Sequence, residues 1–347
     1  MIASLSRPVT GGVDTHKDVH VVAVVDHLGA ELDCRSFPNI DAGHVELANW
    51  LCSHGEVQRV GVEGTSSYGA GLSRRLREAG LEVVEVNRPS RAVRRSVGKS
   101  DTVDAIEAAR AALSGRHAGE PKSGDGPVEA IRVLRAARRS AIQARTAGLN
   151  QLHSILDTAP TPIRDRLITK TITALVAELA SEPCPDIVDD PTAATRWALP
   201  TLARRVQHLD DEIGTLDAHL DVLVAATAPD LLAVFGVGTQ TAASLLVAAG
   251  DNPGRLNSEA GFAALCGVNP LPASSGRTTR HRLNRGGNRD ANNALWRIAM
   301  VRMSHDPTTR SYVERRTQEG LSKREIIRCL KRYIARQLYP IIVASTR

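Results

Sequence analysis

Four carboxylates in the first third of the chain have types and spacings suited to chemistry at phosphorus. Asp14 sits in "GVDTHKD" and Glu63 in "VGVEGTSSYG", each ending a short apolar run. Asp101 and Asp104 follow in "KSDTVDAIEAAR", a three-residue spacing that puts both on one face of a helix. Two acids on neighbouring strands and such a pair can hold divalent metals. Mg²⁺ prefers hard oxygen ligands and a few carboxylates, keeping positions open for phosphate oxygens and water. Two such ions about 4 Å apart stabilise the attacking and leaving oxygens of phosphoryl transfer. Each acid also has a plainer reading. Asp101 fits a helix N-cap, Asp104 a first-turn acid favoured by the helix dipole, and Asp14 a turn residue. Glu63 resists such a reading, because a Glu ending a "VGV" run is seldom buried without a partner.

The other end of the chain is basic. Ser275 to Pro340 holds 16 Lys and Arg against 5 Asp and Glu, a net of +11 in a chain of total +6, which leaves −5 for the rest. That asymmetry points to a polyanion bound by the C-terminal part. Arg277, Arg280, Arg282, Arg285 and Arg289 surround Gly286-Gly287, a composition suited to close backbone approach to phosphates. "REIIRCLKRYIARQLYPII" adds a basic amphipathic helix. Upstream, "LLAVFGVGTQTAASLLVAAG" has the shape of a helix-hairpin-helix. Its turn, with Gly236 and Gly238, would expose backbone N–H groups to a phosphate. Any tight helix–helix turn looks similar, and the basic stretch after it gives the reading its weight. Aromatics make up only 3% of the chain, so base stacking is not expected to be the main recognition mode.

The elements that must position these residues can be read from periodicity. Residues 11 to 90 alternate between strands and helices: a hairpin around His27-Leu28-Gly29, a helix ended by Gly55, the strand "RVGVEGT", a helix closed by Gly80, and the strand "LEVVEVN". A hairpin followed by βαβ units implies a mixed sheet flanked by helices. "KSDTVDAIEAARAALSG" reads as a helix, and the Gly/Pro/Ser-rich "GRHAGEPKSGDGP" as a linker or loop. Beyond it, 128–157 is a long helix. Leu202, Val206, Leu209, Ile213, Leu216, Leu220 and Leu223 then recur in alternating steps of four and three. That seam predicts a coiled coil or a helical hairpin, with 128–157 as a candidate partner; packing in a helical bundle would give the same pattern.

In combination, "GVDTHKDVHVVAVVD", "VGVEGTSSYG" and "KSDTVDAIEAAR" resemble the Asp-Glu-Asp-Asp motifs of one insertion-sequence transposase family. The stretch "FAALCGVNPLPASSGRTTRHRLNRGGNRDANNALW" resembles that family's second domain, which carries a Ser-Gly motif. The resemblance implies an α/β N-terminal domain of RNase H-like fold, similar to the Holliday-junction resolvase RuvC, over 1–120. With the heptad seam, the rest of the chain reads as a helical coiled-coil middle over 121–228 and a mostly α C-terminal domain with a helix-hairpin-helix-like element over 229–347. The resemblance makes Asp14, Glu63, Asp101 and Asp104 the ligands of Mg²⁺ or Mn²⁺. The nucleophile joined covalently to the cleaved strand falls on Ser275, with Ser274 beside it. The implied activity is recombination of donor and target DNA guided by a structured noncoding RNA, the bridge RNA. Ser275 lies more than 170 residues beyond Asp101, and the family implies composite sites in a homo-oligomer, a dimer or tetramer.

Three rivals belong beside this reading. A sugar-kinase-like phosphotransferase would share the first hairpin, but lacks a second Asp-Gly phosphate loop here and leaves the basic end unexplained. A junction nuclease using water would keep the acids and not need Ser275. A non-catalytic DNA-binding protein would make the acids structural. At 347 residues with 42% hydrophobic and 24% charged content, the chain has room for two or three cored domains of a soluble protein. No apolar run approaches the ~20 residues of a membrane span, the N-terminus lacks signal-peptide character, and the five cysteines are scattered. A reduced, cytoplasmic setting without membrane contact is expected.

Overall fold

A computed structural model of the chain describes residues 7–86, 100–115, 118–274 and 281–345. It divides into two compact units. The first runs to Gly126 and includes Ala249–Gly261; the second comprises Pro127–Ala248 and Phe262–Ser345.

The first unit is built on a mixed six-stranded sheet in the order β3-β2-β1-β4-β5-β6. The strands are β1 (Pro8–Thr15), β2 (Val19–Asp26), β3 (Glu31–Pro38), β4 (Glu56–Glu63), β5 (Val83–Val86) and β6 (Ala118–Gly119). β1 pairs antiparallel with β2 and parallel with β4, and β4 parallel with β5. The β2–β3 hairpin turns where expected. Gly29 takes φ +83° there, and Asp26 Oδ1 accepts from the N–H groups of Leu28 (2.8 Å) and Ala30 (2.9 Å), the local bonding that makes Asp a turn residue. Central strands covered on both faces read as near-continuous apolar runs, and β2, "VHVVAVVD", is one.

Alternate residues of β2 face opposite layers. Val22 and Val24 join a core with Leu47, Leu51, Leu72 and Leu76 from the helices α1 (Asp41–Ser53) and α2 (Ala70–Glu78). Ala23 and Val25 join Ala105, Ile106 and Ala109 from α3 (Asp101–Ser114) on the other face. α3 sits against the sheet backbone itself. A Cβ on Gly12 of β1 would stand 2.1 Å from Ala109 N and 2.3 Å from Ala105 O, and one on Gly61 of β4 would stand 2.5 Å from Ala108 O. The small-residue stripe of "AIEAARAAL" and the two glycines are therefore one packing device.

The second unit is mostly helical. α4 (Pro127–Asp157), α5 (Thr161–Leu167), α6 (Ile172–Ser181) and α7 (Pro191–Thr227) come first, then α8 (Thr239–Ala249), α9 (Arg289–His305), α10 (Pro307–Gln318) and α11 (Lys323–Ser345). The seam on α7 faces α4 within the chain. Val206 Cγ2 lies 3.2 Å from where a Cβ on Gly148 would be, Arg138 forks onto Asp217 at 2.5 and 3.0 Å, and Arg145 pairs with Asp210. The two helices form the helical hairpin, one of the predicted outcomes. Its helices belong to the same compact unit as the C-terminal part. In that part the short β7 (Pro270–Pro272) and β8 (His281–Leu283) pair antiparallel.

Candidate active site

The β1–β4 register decides where the first two acids meet. Val13 pairs with Val62 in parallel, so Asp14 and Glu63 follow side by side at the carboxyl ends of adjacent strands, where open α/β sheets place their ligand sites. Thr15 Oγ1 donates to the Glu63 carbonyl oxygen at 2.7 Å and ties the two strand ends together. Gly64, at φ +70°, then turns the chain away.

α3 supplies the other pair. Its N-cap position is Ser100, not Asp101, which opens the first turn with Asp104 one turn further along the same face. With its middle seated on Gly12 and Gly61, the helix brings this turn to the strand ends. Asp14, Glu63 and Asp104 are all buried, at 6–7% exposure, whereas the Asp101 side chain is 53% exposed. Burial pushes the Asp14 carboxyl above its ordinary range; His16 opposes the rise, and the negative charges of Glu63, Asp104 and Asp101 add to it. The charges of the other three acids are thus all felt at Asp14, with the Asp101 side chain exposed.

His16 joins them. Its Nε2 lies 3.1 Å from Asp14 Oδ2 and 3.6 Å from Asp101 Oδ1. Ligand atoms of Asp14, His16 and Asp101 fall within 4.8 Å of one another, as in a metal-binding group. Sequence reasoning passed over His16. The available signal was its place two residues after Asp14, just past the end of β1 (Pro8–Thr15). The donor set is mostly carboxylate oxygen with one imidazole, compatible with a hard divalent ion.

The basic residues lie in the second unit. Ser275, Arg277 and Arg280 fall outside the described residues, and Ser274, just before them, is exposed. β7 and β8 bracket this stretch in sequence. Arg282, Arg285 and Arg289 are exposed along β8 and into the first turn of α9. Arg282 also lines a cavity of about 450 Å³ with Arg328, Lys331 and Arg332 of α11. Burial, then the neighbouring Arg328, lowers the Lys331 pKa, and its ammonium donates to Asn292 Oδ1 at 2.9 Å.

Two glycine readings change. Gly287 was expected to admit a phosphate, but a Cβ there would meet Gly267 N at 2.2 Å; the glycine lets two protein backbones cross. In the 236–238 turn, Gly236 takes φ +85°, as a tight turn needs. The Gly238 N–H, however, donates to Thr241 Oγ1 and that of Val237 to the Val234 carbonyl oxygen, both at 3.0 Å. Donors bonded inside the turn are not free for a ligand. The element before the turn is a single helical turn, Pro229–Leu232.

Two family models match this chain. A transposase model of the Asp-Glu-Asp-Asp, IS110 type covers residues 11–160, and one described as Transposase IS116/IS110/IS902 family covers 228–314. The chain carries both transposase domains of that family. Its domains are by family those of an IS110-type transposase, and the first of them points to divalent-metal use. Among curated proteins it is similar to the insertion element IS110 uncharacterized 43.6 kDa protein of Streptomyces coelicolor. The two are 29% identical over 207 residues, 58% of this chain and about half (48%) of that protein. It is also similar to the insertion element IS900 uncharacterized 42 kDa protein of Mycobacterium paratuberculosis, 26% identical over 94% of each chain. Among the described residues no helix of this transposase is long and apolar enough to cross a membrane.

Proposed function

We propose that this transposase cuts and rejoins insertion-element and target DNA through a covalent serine–DNA intermediate, with Asp14, Glu63, Asp101 and Asp104 holding Mg²⁺ or Mn²⁺. The observation that supports the metal half is the grouping of Asp14, His16 and Asp101 ligand atoms beside buried Glu63 and Asp104, whose charges with burial raise the Asp14 pKa. Such a cluster is costly without a cation. Divalent ions there would neutralise charge developing on the phosphate and polarise it toward attack. We read the sheet as RNase H-like, close to RuvC, and the chain as a catalytic part (1–120), a helical coiled-coil part (121–228) and a serine-bearing part (229–347).

The serine half rests on the Ser-Gly motif at Ser275 and the arginines around it. A serine hydroxyl is a weak nucleophile at neutral pH: it must give up its proton as its Oγ bonds to the scissile phosphorus and the deoxyribose oxygen leaves, and divalent ions would make that phosphorus the better electrophile and stabilise the leaving oxygen. In the family reading a noncoding bridge RNA selects donor and target. A protein with few aromatics and many arginines suits that division of labour, since it reads backbone and shape while base pairing reads sequence. Composite sites in a homo-oligomer, and action in the cytoplasm, complete the reading.

The test is a denaturant-resistant protein–DNA adduct formed with Mg²⁺ or Mn²⁺ and a cognate RNA. Ser275→Ala is expected to abolish adduct and strand exchange while leaving nucleic-acid binding nearly intact. Activity in Ser275→Ala but not in Ser274→Ala moves the nucleophile by one residue. Activity in both, with the acid variants dead, leaves a RuvC-like nuclease that uses water.

A further inference from the structure

The second unit contains a basic cleft outside the arginine stretch of 277–289. It has a volume of about 250 Å³ and is walled by Arg135, Arg138 and Arg139 of α4, Gln240, Thr241 and Ser244 of α8, and Asp290 and Arg297 of α9. Two of its arginines are matched by acids: Arg138 by Asp217, and Arg139 by Asp290. The other two are not. Arg135, partly buried, donates to the neutral Ser244 hydroxyl at 2.7 Å, and Arg297, exposed on α9, has no ion pair among the described residues. Partial burial of an uncompensated guanidinium carries a desolvation cost that an anion would offset. Burial lowers the Arg135 pKa, and the neighbouring Arg139 and Arg138 add to that against the pull of Asp290.

We propose that this cleft seats the sugar–phosphate backbone of duplex DNA, with Arg135 and Arg297 sharing a phosphate. Four guanidiniums face one lining carboxylate, and planar guanidinium groups match phosphate oxygens in pairs. No aromatic side chain lines the cleft, so it is not built to stack splayed bases, the usual way single-stranded RNA loops are held. Duplex backbone presents phosphates with the bases hidden, and matches what the cleft offers. With the Gly238 N–H bonded inside its own turn, phosphate contact in this region passes to the arginine side chains. The inference rests on the reading of the chain as DNA-binding.

The experiment measures binding of the full-length chain to a labelled duplex DNA across a salt series, with duplex RNA in parallel. Arg297→Gln is expected to make the slope of log affinity against log salt shallower by a fraction of 1, and Arg135→Gln with Arg297→Gln, which strips the shared phosphate of both partners, by about 1. Arg297→Lys should keep the slope. Arg205→Gln, on an exposed part of α7, should behave as wild type. Unchanged slopes in Arg297→Gln and the double variant, with wild-type melting curves, overturn the site and leave DNA binding standing. An equal loss in Arg205→Gln assigns the effect to general surface charge and also overturns it. Loss on duplex RNA alone overturns the choice of DNA. Failure of the wild-type chain to bind duplex DNA removes the reading on which the site rests.

Discussion

Asp14 shows at the residue scale what the site costs. A carboxyl whose folded pKa is raised keeps its proton longer folded than unfolded, so stability is lost as pH rises from its unfolded pKa through the folded one. At neutral pH the ionised Asp14 therefore destabilises the metal-free protein. Asp14→Asn is expected to raise the melting temperature in chelator by up to a few degrees, while added Mn²⁺ stabilises the wild type and not the variant. A variant that melts below wild type in chelator would contradict this account. His20 has the opposite dependence. It is fully buried on β2 and stacks on His44 with centroids 5.4 Å apart. Burial, then His44, pulls its pKa down to about 4, against the weaker pull of Asn39. The folded state then refuses a proton that the unfolded state accepts, so stability falls as pH drops from about 6.5 toward 4, by roughly 3 kcal/mol at most. His20→Phe, which keeps a flat ring there, should flatten that acid limb in denaturant titrations. An unchanged limb would place the acid sensitivity elsewhere.

At the scale of elements, α3 and its glycine seats set the geometry. Gly12→Ala puts a methyl group into backbone atoms of Ala105 and Ala109 that cannot swing aside, so α3 must shift. Overpacking of this kind typically costs 1–3 kcal/mol, and the shift moves Asp101 and Asp104 from the strand ends. The expected result is a folded protein with a lowered melting temperature and Mn²⁺ binding at least tenfold weaker in calorimetry; wild-type affinity would show that the seat does not fix the pocket. This link explains what could be read from the chain alone. The strand ends at Asp14 and Glu63, the i, i+3 pair, and the hairpin at Gly29 are local patterns with local causes. His16 was missed because its partners include Asp101, 85 residues away. Gly12 and Gly61 look like ordinary strand glycines until a helix lands on them. Gly287 was misread because close approach of backbone to backbone and of backbone to phosphate demand the same residue. Arg135, Arg138 and Arg139 read as the solvated face of a long helix, and only α8 and α9 turn them into a cleft.

For the whole molecule, charge asymmetry governs association. A segment of net +11 beside an acidic remainder predicts nucleic-acid binding that weakens steeply with salt, since each neutralised phosphate releases counterions. If about four phosphates are neutralised, affinity for non-specific duplex should fall roughly 100-fold between 0.05 and 0.2 M salt. Filter binding or anisotropy over that range checks it. A flat response would mean that the basic face is merely solvated.

The way α3 meets the sheet also bears on how the pocket breathes. Through Ala105, Ala108 and Ala109 the helix rests on glycine backbone with no side chain to rearrange between them, while its first turn begins at an exposed Asp101. Amide hydrogen exchange should register that gradient, since local opening free energies follow burial and packing. Amides of residues 105–109 should exchange only with the opening of the sheet, and those of 101–104 by fraying. Divalent ion would then slow exchange at 101–104 and scarcely alter it at 105–109. The site would have a floor fixed by the fold and a rim that becomes ordered only when the cation arrives.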